Sequence, residues 1–193
     1  MAVAKGLGAR RVIAVDLQDE RLAFAKSYAA TDVFKSLAPD ANETRLEFSQ
    51  RQADEIKRRF ALTEIGTESI DLVVDATGAE VCVQTATYLA RSGGTVVQVG
   101  LGAPALNLPV VAMMGKELVY KTSFRYGPGV FNLSVDLVAR GAVDVKPLIT
   151  HNFEFADALA AFETTKNGKG PDGKMAIKTI SASSLLLCRG TRH

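Results

Sequence analysis

The strongest constraint on this chain is a short apolar run that begins at residue 11 and closes on an acid. Residues 11–16, Arg-Val-Ile-Ala-Val-Asp, are apolar and partly β-branched, which predicts a strand. In a dinucleotide-binding α/β domain, the second strand ends on such an acid, here Asp16, where the ribose hydroxyls must be held. Residues 1–10 resemble the end of a helix, so no Gly-x-Gly-x-x-Gly turn precedes this strand in the sequence. We therefore expect a dinucleotide-binding domain that lacks its first strand and its phosphate-binding turn.

Strand-like and helix-like runs alternate along the rest of the chain, which predicts an α/β fold with a doubly wound, Rossmann-type parallel sheet. In the strand order 3-2-1-4-5-6 the missing first strand is central, so the strands beginning at Val12 and Ile70 would lose their common neighbour. The run 70–75 is nearly all apolar, which predicts a strand covered on both faces. The charged run 43–62 predicts an amphipathic, mostly solvated helix. The other predicted elements are strands at 32–34, 95–99 and 118–122 and helices at 19–30 and 79–91.

Charge and cysteine content exclude several classes of protein. The net charge is +2 without a basic stripe, and no apolar run approaches the ~20 residues that span a bilayer, so we expect no nucleic-acid or membrane partner. The N-terminus lacks the features of a signal peptide, which favours a cytoplasmic protein. Cys82 and Cys188 are too few for a disulfide framework, and Cys82 is expected to be a small buried residue of a helix. His151 and His193 stand alone, so neither predicts a metal site.

The carboxyl ends of the predicted strands carry the candidate functional residues, because ligands of doubly wound sheets lie at that edge. Asp16 could accept hydrogen bonds from both ribose hydroxyls and repel a 2′-phosphate, which favours NAD over NADP; Arg21 would lie beside it. The alternative is that Asp16 caps the following helix. Gly100 would let the backbone approach the nicotinamide ribose. Arg125 and Tyr126 offer a cation and a phenol to a polyhydroxylated substrate, unless they are simply solvated.

Five motifs follow one another along residues 3–180: Val-Ile-Ala-Val-Asp16 with Arg21, Asp71-Leu-Val-Val-Asp-Ala-Thr-Gly-Ala-Glu80, Arg91-Ser-Gly-Gly-Thr-Val-Val-Gln-Val-Gly-Leu101, Ser123-Phe-Arg-Tyr-Gly127 and Val145-Lys-Pro-Leu-Ile-Thr-His151. Their order and spacing resemble the zinc-containing medium-chain dehydrogenases. Within that family the chain is most similar to the polyol branch of sorbitol, xylitol and L-arabinitol dehydrogenases, with a fungal character. The Phe-Arg-Tyr run in particular resembles the enzymes that act on polyols.

The resemblance implies an NAD-dependent oxidoreductase that converts a sugar alcohol to a ketose by hydride transfer, for example xylitol to xylulose or sorbitol to fructose. It also implies a homo-oligomer whose partner is a small-molecule polyol. The implied roles are adenosine-ribose binding by Asp16 and Arg21, lining of the nicotinamide half by Val99, Gly100, Leu101, Ser123, Phe124 and Arg125, and contact with substrate or its bound water by Arg125 and Tyr126.

The resemblance divides the chain into a partial dinucleotide-binding domain (1–124), a return segment of a GroES-like catalytic domain (125–180) and an atypical tail (181–193). The family's zinc-binding half precedes the first strand, and this sequence does not contain it. No Cys or His cluster supplies the three ligands that a catalytic zinc requires, and His151 would lie in a structural strand. We therefore expect no catalytic or metal residue here and an inactive chain. The favoured hypothesis is a fragment of a polyol dehydrogenase, and the alternative is a non-catalytic nucleotide-binding or interaction module.

Overall fold

A computed structural model describes residues 1–182 of the 193-residue chain. These residues form two compact units. The first unit comprises Met1–Val33 and the chain from Gly129 onward, and the second comprises Phe34–Pro128. Of the predicted tail (181–193), residues 181 and 182 are described; the rest, with Cys188 and His193, lies outside the described residues. The domain boundaries that the resemblance implies, at 124 and 180, stay a prediction.

The predicted helices and strands are present with differences at their ends, and the structure adds helices at 110–115, 130–139 and 158–167 that were not predicted. Among residues 1–182, no helix is both long and apolar enough to cross a bilayer. The helices are α1 Ala2–Gly6, α2 Asp19–Tyr28, α3 Arg45–Phe60, α4 Glu80–Leu89, α5 Val110–Gly115, α6 Val130–Ala139 and α7 Ala158–Asn167. The strands are β1 Ile13–Asp16, β2 Asp32–Lys35, β3 Leu72–Asp75, β4 Thr95–Gln98, β5 Val119–Thr122, β6 Ile149–Glu154 and β7 Lys178–Ala182.

The strands form three separate sheets, β1-β2, β3-β4-β5 and β6-β7. In the three-stranded sheet all neighbours are parallel, with Val73 beside Val96 and Val96 beside Tyr120. The orders β2-β1 and β3-β4-β5 match positions 3-2 and 4-5-6 of a doubly wound sheet. Strands β1 and β3 belong to different sheets of the described chain.

Helix α3 starts at a capping box and buries one of its faces. The Thr44 hydroxyl accepts a hydrogen bond from the Glu47 N–H, and the Glu47 carboxylate accepts one from the Thr44 N–H. The expectation of a mostly solvated helix is wrong for the face towards α4. The high charge of α3 lies on its outer face, while helical spacing brings five residues to the inner one: Phe48, Ser49, Gln52, Ala53 and Ile56 are buried.

Strand β3 is covered on one face only, which corrects the expectation of a strand covered on both. Val73 packs against the core formed by Ala86 of α4, Ala90 just after it, and Val96. Leu72 and Val74 point to the opposite face, because successive side chains of a strand alternate, and they are 52% and 55% exposed. Within the second unit, the described residues leave that face of β3 open.

Candidate cofactor site

Asp16 closes β1 and has partners on both of its carboxylate oxygens. Oδ1 accepts the Gln18 N–H at 2.9 Å, and Gln18 is the residue that precedes α2. Oδ2 lies 3.8 Å from Nη1 of Arg21, and both side chains remain partly exposed. The alternative in which Asp16 caps α2 is wrong in that form, because Gln18 occupies the cap position and no side chain caps the helix; Asp16 instead holds the N–H of Gln18. Ribose binding by Asp16 and Arg21 stays a prediction. Oδ2 is the Asp16 oxygen that accepts no backbone hydrogen bond among the described residues and could accept one from a ribose hydroxyl.

Asp75, at the end of β3, is a buried carboxylate that joins two turns. Oδ1 accepts hydrogen bonds from the hydroxyl and the N–H of Thr77, at 2.7 and 3.2 Å, and Oδ2 accepts the Gly78 N–H at 2.8 Å. Its backbone carbonyl accepts the N–H groups of Val99 and Gly100, at 2.8 and 3.1 Å. Asp75 therefore fixes the turn after β3 to the turn after β4. Sequence reasoning missed this role, although Asp-x-Thr-Gly directly after an apolar strand is a local turn signal.

Three glycines let the turns after β3 and β4 touch backbone to backbone. A Cβ on Gly78 would lie under 3.0 Å from the backbone of Leu101 and Gly102, and a Cβ on Gly100 or Gly102 would collide likewise with the backbone at Gly78. Gly78 also has a φ of +73°, which L-residues rarely adopt. Position 100 therefore needs a glycine for its contact with the Gly78 turn, a reason different from the expected close approach of a cofactor. Lining of the nicotinamide half by Val99, Gly100 and Leu101 stays a prediction.

The run after β5 is exposed and carries a cation over an aromatic ring. The Ser123 N–H donates to the carbonyl of Gln98 at 2.9 Å, which anchors the run to the end of β4. The guanidinium carbon of Arg125 lies 5.1 Å from the centre of the Phe124 ring. Arg125 has a φ of +60°, uncommon outside glycine, and Tyr126 is 78% exposed. The predicted cation and phenol are therefore adjacent and open to solvent.

The segment 101–109, which follows the Gly100 turn, is fastened to α4 by two side chains one helical turn apart. The Glu80 carboxylate accepts the Asn107 N–H at 3.0 Å, and the Gln84 amide donates to the Asn107 carbonyl at 2.6 Å. The bond from Asn107, with the Arg45 guanidinium 3.1 Å away, holds the pKa of Glu80 below its usual value. Gln84 is fully buried, and its amide oxygen accepts the Ser49 hydroxyl at 2.9 Å. We call Glu80, Gln84 and Asn107 the Asn107 clamp.

The described residues do not supply a zinc site. Among residues 1–182, no group of three or more His, Cys, Asp or Glu side chains could hold a metal ion. His151 lies in β6, with its ring nitrogens 3.0 Å from the Thr150 hydroxyl and 3.2 Å from Asp172 Oδ1. The hydrogen bond with His151 holds the pKa of Asp172 below its usual value. Cys82 lies in α4 as predicted, but it is half-buried rather than buried, because the buried face of α4 begins at Val83.

The predicted residues fall into two groups that occupy different units. Asp16 and Arg21 belong to the first unit, where the structure brings them together at the start of α2. The residues predicted for the nicotinamide half and for substrate all belong to the second unit, where the ends of β4 and β5 are adjacent: Val99, Gly100, Leu101, Ser123, Phe124, Arg125 and Tyr126.

Comparison with known proteins identifies close relatives of the sequence. A family model described as zinc-binding dehydrogenase matches residues 1–140. Among curated relatives, D-xylulose reductase A of Aspergillus niger is 45% identical over 181 residues, which make up 94% of this chain and 46% of the relative. The chain thus spans about half the length of the curated relatives it matches.

Solved structures share the fold at lower identity. A short chain alcohol dehydrogenase from Escherichia coli, complexed with NADH, has a TM-score of 0.73 and 23% identity over 93% of this chain and 47% of that protein. A Sinorhizobium meliloti protein bound to NADP has a TM-score of 0.69 and 23% identity over the same shares, 93% and 47%. The likeness confirms the predicted fold class, the Rossmann-type α/β arrangement.

Proposed function

The chain belongs to the zinc-binding dehydrogenase family, and on that premise we propose that it is the cofactor-binding part of an NAD-dependent polyol dehydrogenase. The reaction is the interconversion of a sugar alcohol and a ketose by hydride transfer, with xylitol and D-xylulose as the first pair to test. The observation that carries the proposal is the 45% identity with D-xylulose reductase A along 94% of this chain. The alternative, a non-catalytic nucleotide-binding or interaction module, is not favoured by relatives that are named as reductases.

We propose roles for the residues at the strand ends. Asp16 Oδ2 and Arg21 bind the adenosine ribose, while Val99–Leu101 and Ser123–Arg125 line the nicotinamide half. Arg125 and Tyr126 bind hydroxyl groups of the polyol or a water bound to it, which suits a guanidinium and a phenol that are both exposed. NAD supplies the hydride acceptor, and the chain's own residues bind and orient the two reactants.

The zinc expected of the family does not fit the described residues, since they contain no group of ligands for it. We therefore propose that this chain binds the nicotinamide cofactor without catalysing polyol oxidation. Metal analysis of the purified 193-residue chain, together with NADH formation from xylitol and sorbitol, tests this. We expect no stoichiometric zinc and no turnover. One tightly bound zinc per chain with xylitol-dependent NADH formation would overturn it.

Variants of Asp16 test the cofactor site and separate its two interpretations. Asp16→Ala removes the ribose acceptor and the charge, so NADH affinity should fall by on the order of 1–3 kcal/mol while discrimination against NADPH weakens. Asp16→Asn keeps an oxygen for the Gln18 N–H but removes the charge, so it should relax the discrimination while leaving α2 intact. Asp19→Ala, in the first turn of the same helix, is the control.

Titration of each variant with NADH and NADPH, followed by nucleotide fluorescence, gives the two affinities. An unchanged NADH to NADPH ratio in Asp16→Ala and Asp16→Asn would assign Asp16 to the start of α2 alone. Failure of the unsubstituted chain to bind either nucleotide at millimolar concentration would refute the proposed cofactor site.

A further inference from the structure

We propose that Glu80 and Gln84 are positioning residues for the nicotinamide end of the cofactor, acting through the Asn107 clamp. The inference rests on the proposed function, because it assigns these residues to the site at the end of β4. Neither side chain needs to touch the cofactor. Their effect is to hold the segment 101–109 in one conformation before the cofactor binds.

The clamp engages both hydrogen-bonding groups of one peptide residue. Glu80 and Gln84 are four positions apart on α4, so they lie on the same side of the helix and reach the same stretch of backbone. One accepts the Asn107 N–H at 3.0 Å, and the other donates to the Asn107 carbonyl at 2.6 Å. Two bonds of opposite polarity fix the direction of the chain at Asn107, which a single bond would leave free to pivot.

The two clamp side chains are themselves held by α3. Arg45 lies 3.1 Å from one Glu80 oxygen. The Ser49 hydroxyl lies 2.9 Å from the Gln84 oxygen and shares its proton between that oxygen and the Arg45 carbonyl at 2.7 Å. Gln84 therefore has a partner for its acceptor and for its donor, and it is fully buried. A buried amide with both groups satisfied has one low-energy orientation, because any flip would leave a buried polar group unpaired.

The clamp closes a segment whose other end is already fixed. At its start, Gly100 and Gly102 pack against the Gly78 turn, and the Gly100 N–H donates to the Asp75 carbonyl at 3.1 Å. The exposed Leu101 and the residues up to 106 lie between these two attachments. If the clamp opens, the next attachment after Gly102 is α5, which begins at Val110, so the residues between them can take several conformations. Ordering them beside the nicotinamide then costs free energy when the cofactor binds.

Hydrogen exchange and nucleotide binding on the 193-residue chain test the proposal. Glu80→Ala removes the acceptor for the Asn107 N–H, so amide exchange at Asn107 and its neighbours in 101–109 should accelerate on the order of 5–10-fold. Glu80→Gln keeps an oxygen at that place while losing the charge, so it should recover most of the protection. Glu55→Ala removes a carboxylate of α3 that pairs with Arg58 and is the control for charge loss.

Binding of NADH is compared with binding of ADP-ribose, which lacks the nicotinamide. Glu80→Ala and Gln84→Leu should weaken NADH several-fold and leave ADP-ribose within about twofold, a split that general damage to the fold would not produce. Equal losses for both ligands, or unchanged exchange at 101–109, would overturn the clamp while the cofactor site stands. If the unsubstituted chain binds ADP-ribose and NADH equally, the nicotinamide end has no site here and the clamp's proposed role fails with it.

Discussion

Helices α3 and α6 show that composition does not decide burial in this molecule. Half of the residues of α3 are charged, yet it buries Phe48, Ser49, Gln52, Ala53 and Ile56 against its surroundings in the second unit. Helix α6 carries one charge, Asp136, and buries Leu137 alone. Five large apolar side chains of α6 are 42–69% exposed: Val130, Phe131, Leu133, Val135 and Val138.

The difference lies in what faces each helix. Helix α4 lies against α3 and offers both apolar groups and hydrogen-bond partners, such as Gln84 for Ser49. The described residues of the first unit offer α6 no comparable surface. Helix α7 and the turn before it behave like α6, since Phe155, Leu159 and Phe162 follow helical spacing and are 74–81% exposed. An apolar pattern therefore predicts a buried face only where a partner surface exists.

The largest expected effect is loss of core packing in α3. Ile56 is fully buried, so Ile56→Ala should lower the free energy of unfolding by about 2–4 kcal/mol through lost contacts and a cavity. Leu133→Ala on the exposed side of α6 should change it by less than about 0.5 kcal/mol. Urea unfolding followed by circular dichroism gives both values. Equal losses in the two variants would contradict the contrast between the helices.

A smaller effect is expected from the buried hydroxyl of Ser49. Ser49→Ala leaves the Gln84 oxygen without its donor, which should cost about 1–2 kcal/mol of unfolding free energy. Ser134→Ala on α6 is the matched control, because the Ser134 hydroxyl donates only to the Val130 carbonyl one turn earlier and is exposed. Its cost should stay within about 0.5 kcal/mol. The same urea experiment checks the pair, and a larger loss for Ser134→Ala would reverse the conclusion.

The exposed apolar side of α6 should bind a hydrophobic fluorescent dye in the native state. Leu133→Gln combined with Val135→Gln should lower the dye fluorescence and change the unfolding free energy by less than about 0.5 kcal/mol. Arg58→Gln on the outer face of α3 serves as the control and should leave the fluorescence unchanged. Dye binding that persists in the double variant would locate the exposed apolar surface elsewhere.

The weakest expected effect concerns an ion pair between α3 and the residues that precede it. Hydrogen bonds from the Arg51 guanidinium to Glu43, at 2.6 and 2.7 Å, lower the pKa of that carboxyl to about 2. Because the folded pKa is below the ordinary value of 4.5, the pair stabilises the fold above about pH 4.5, and the contribution is lost as the pH falls through about 2. The protection factors of the amides at residues 36–44, which correct for the intrinsic pH dependence of exchange, should therefore fall between these pH values.

Glu43→Gln should remove that pH dependence, since the amide does not titrate. Glu163→Gln, which changes an exposed glutamate of α7, should preserve it. Exchange that follows the same pH curve in Glu43→Gln as in the unsubstituted chain would assign the acid sensitivity to another group.

The sequence predicts the order of elements well because the signals are local. Asp16 after β1 and the Gly93-Gly94 turn before β4 follow from neighbouring residues. The capping box at Thr44 is equally local, although it was not predicted. The partners of Lys116 and Asn107 could not be predicted, since they lie far away in the sequence. Lys116 donates to the carbonyls of Tyr88 and Ala90, both at 2.7 Å, at the end of α4. Burial, with the nearby Lys57 ammonium, lowers the pKa of Lys116.

The candidate site was likewise predictable where its signals are local and not where its contacts are distant in the sequence. The strand ends that carry Asp16, Gly100 and Arg125 could be found, because the carboxyl edge of a parallel sheet follows from strand order. The exposure of Leu72 and Val74 could not be predicted, because an apolar strand has the same sequence pattern whether one or both of its faces are covered. The role of the Asp75 carboxylate was also missed, because two of its three partners are backbone N–H groups and the local signal, Thr77 two residues later, was not used.

The contact among Gly78, Gly100 and Gly102 restricts how this part of the chain can drift in sequence. Every codon change that replaces one of these glycines adds at least a Cβ, and the space for it is already filled by backbone. No neighbouring side chain can shorten to make room, so second-site changes offer no rescue. Gly115 and Gly127, where a Cβ would meet nothing within 4 Å, should accept alanine. A library of variants should therefore tolerate replacement at Gly115 and Gly127 and reject it at Gly78, Gly100 and Gly102.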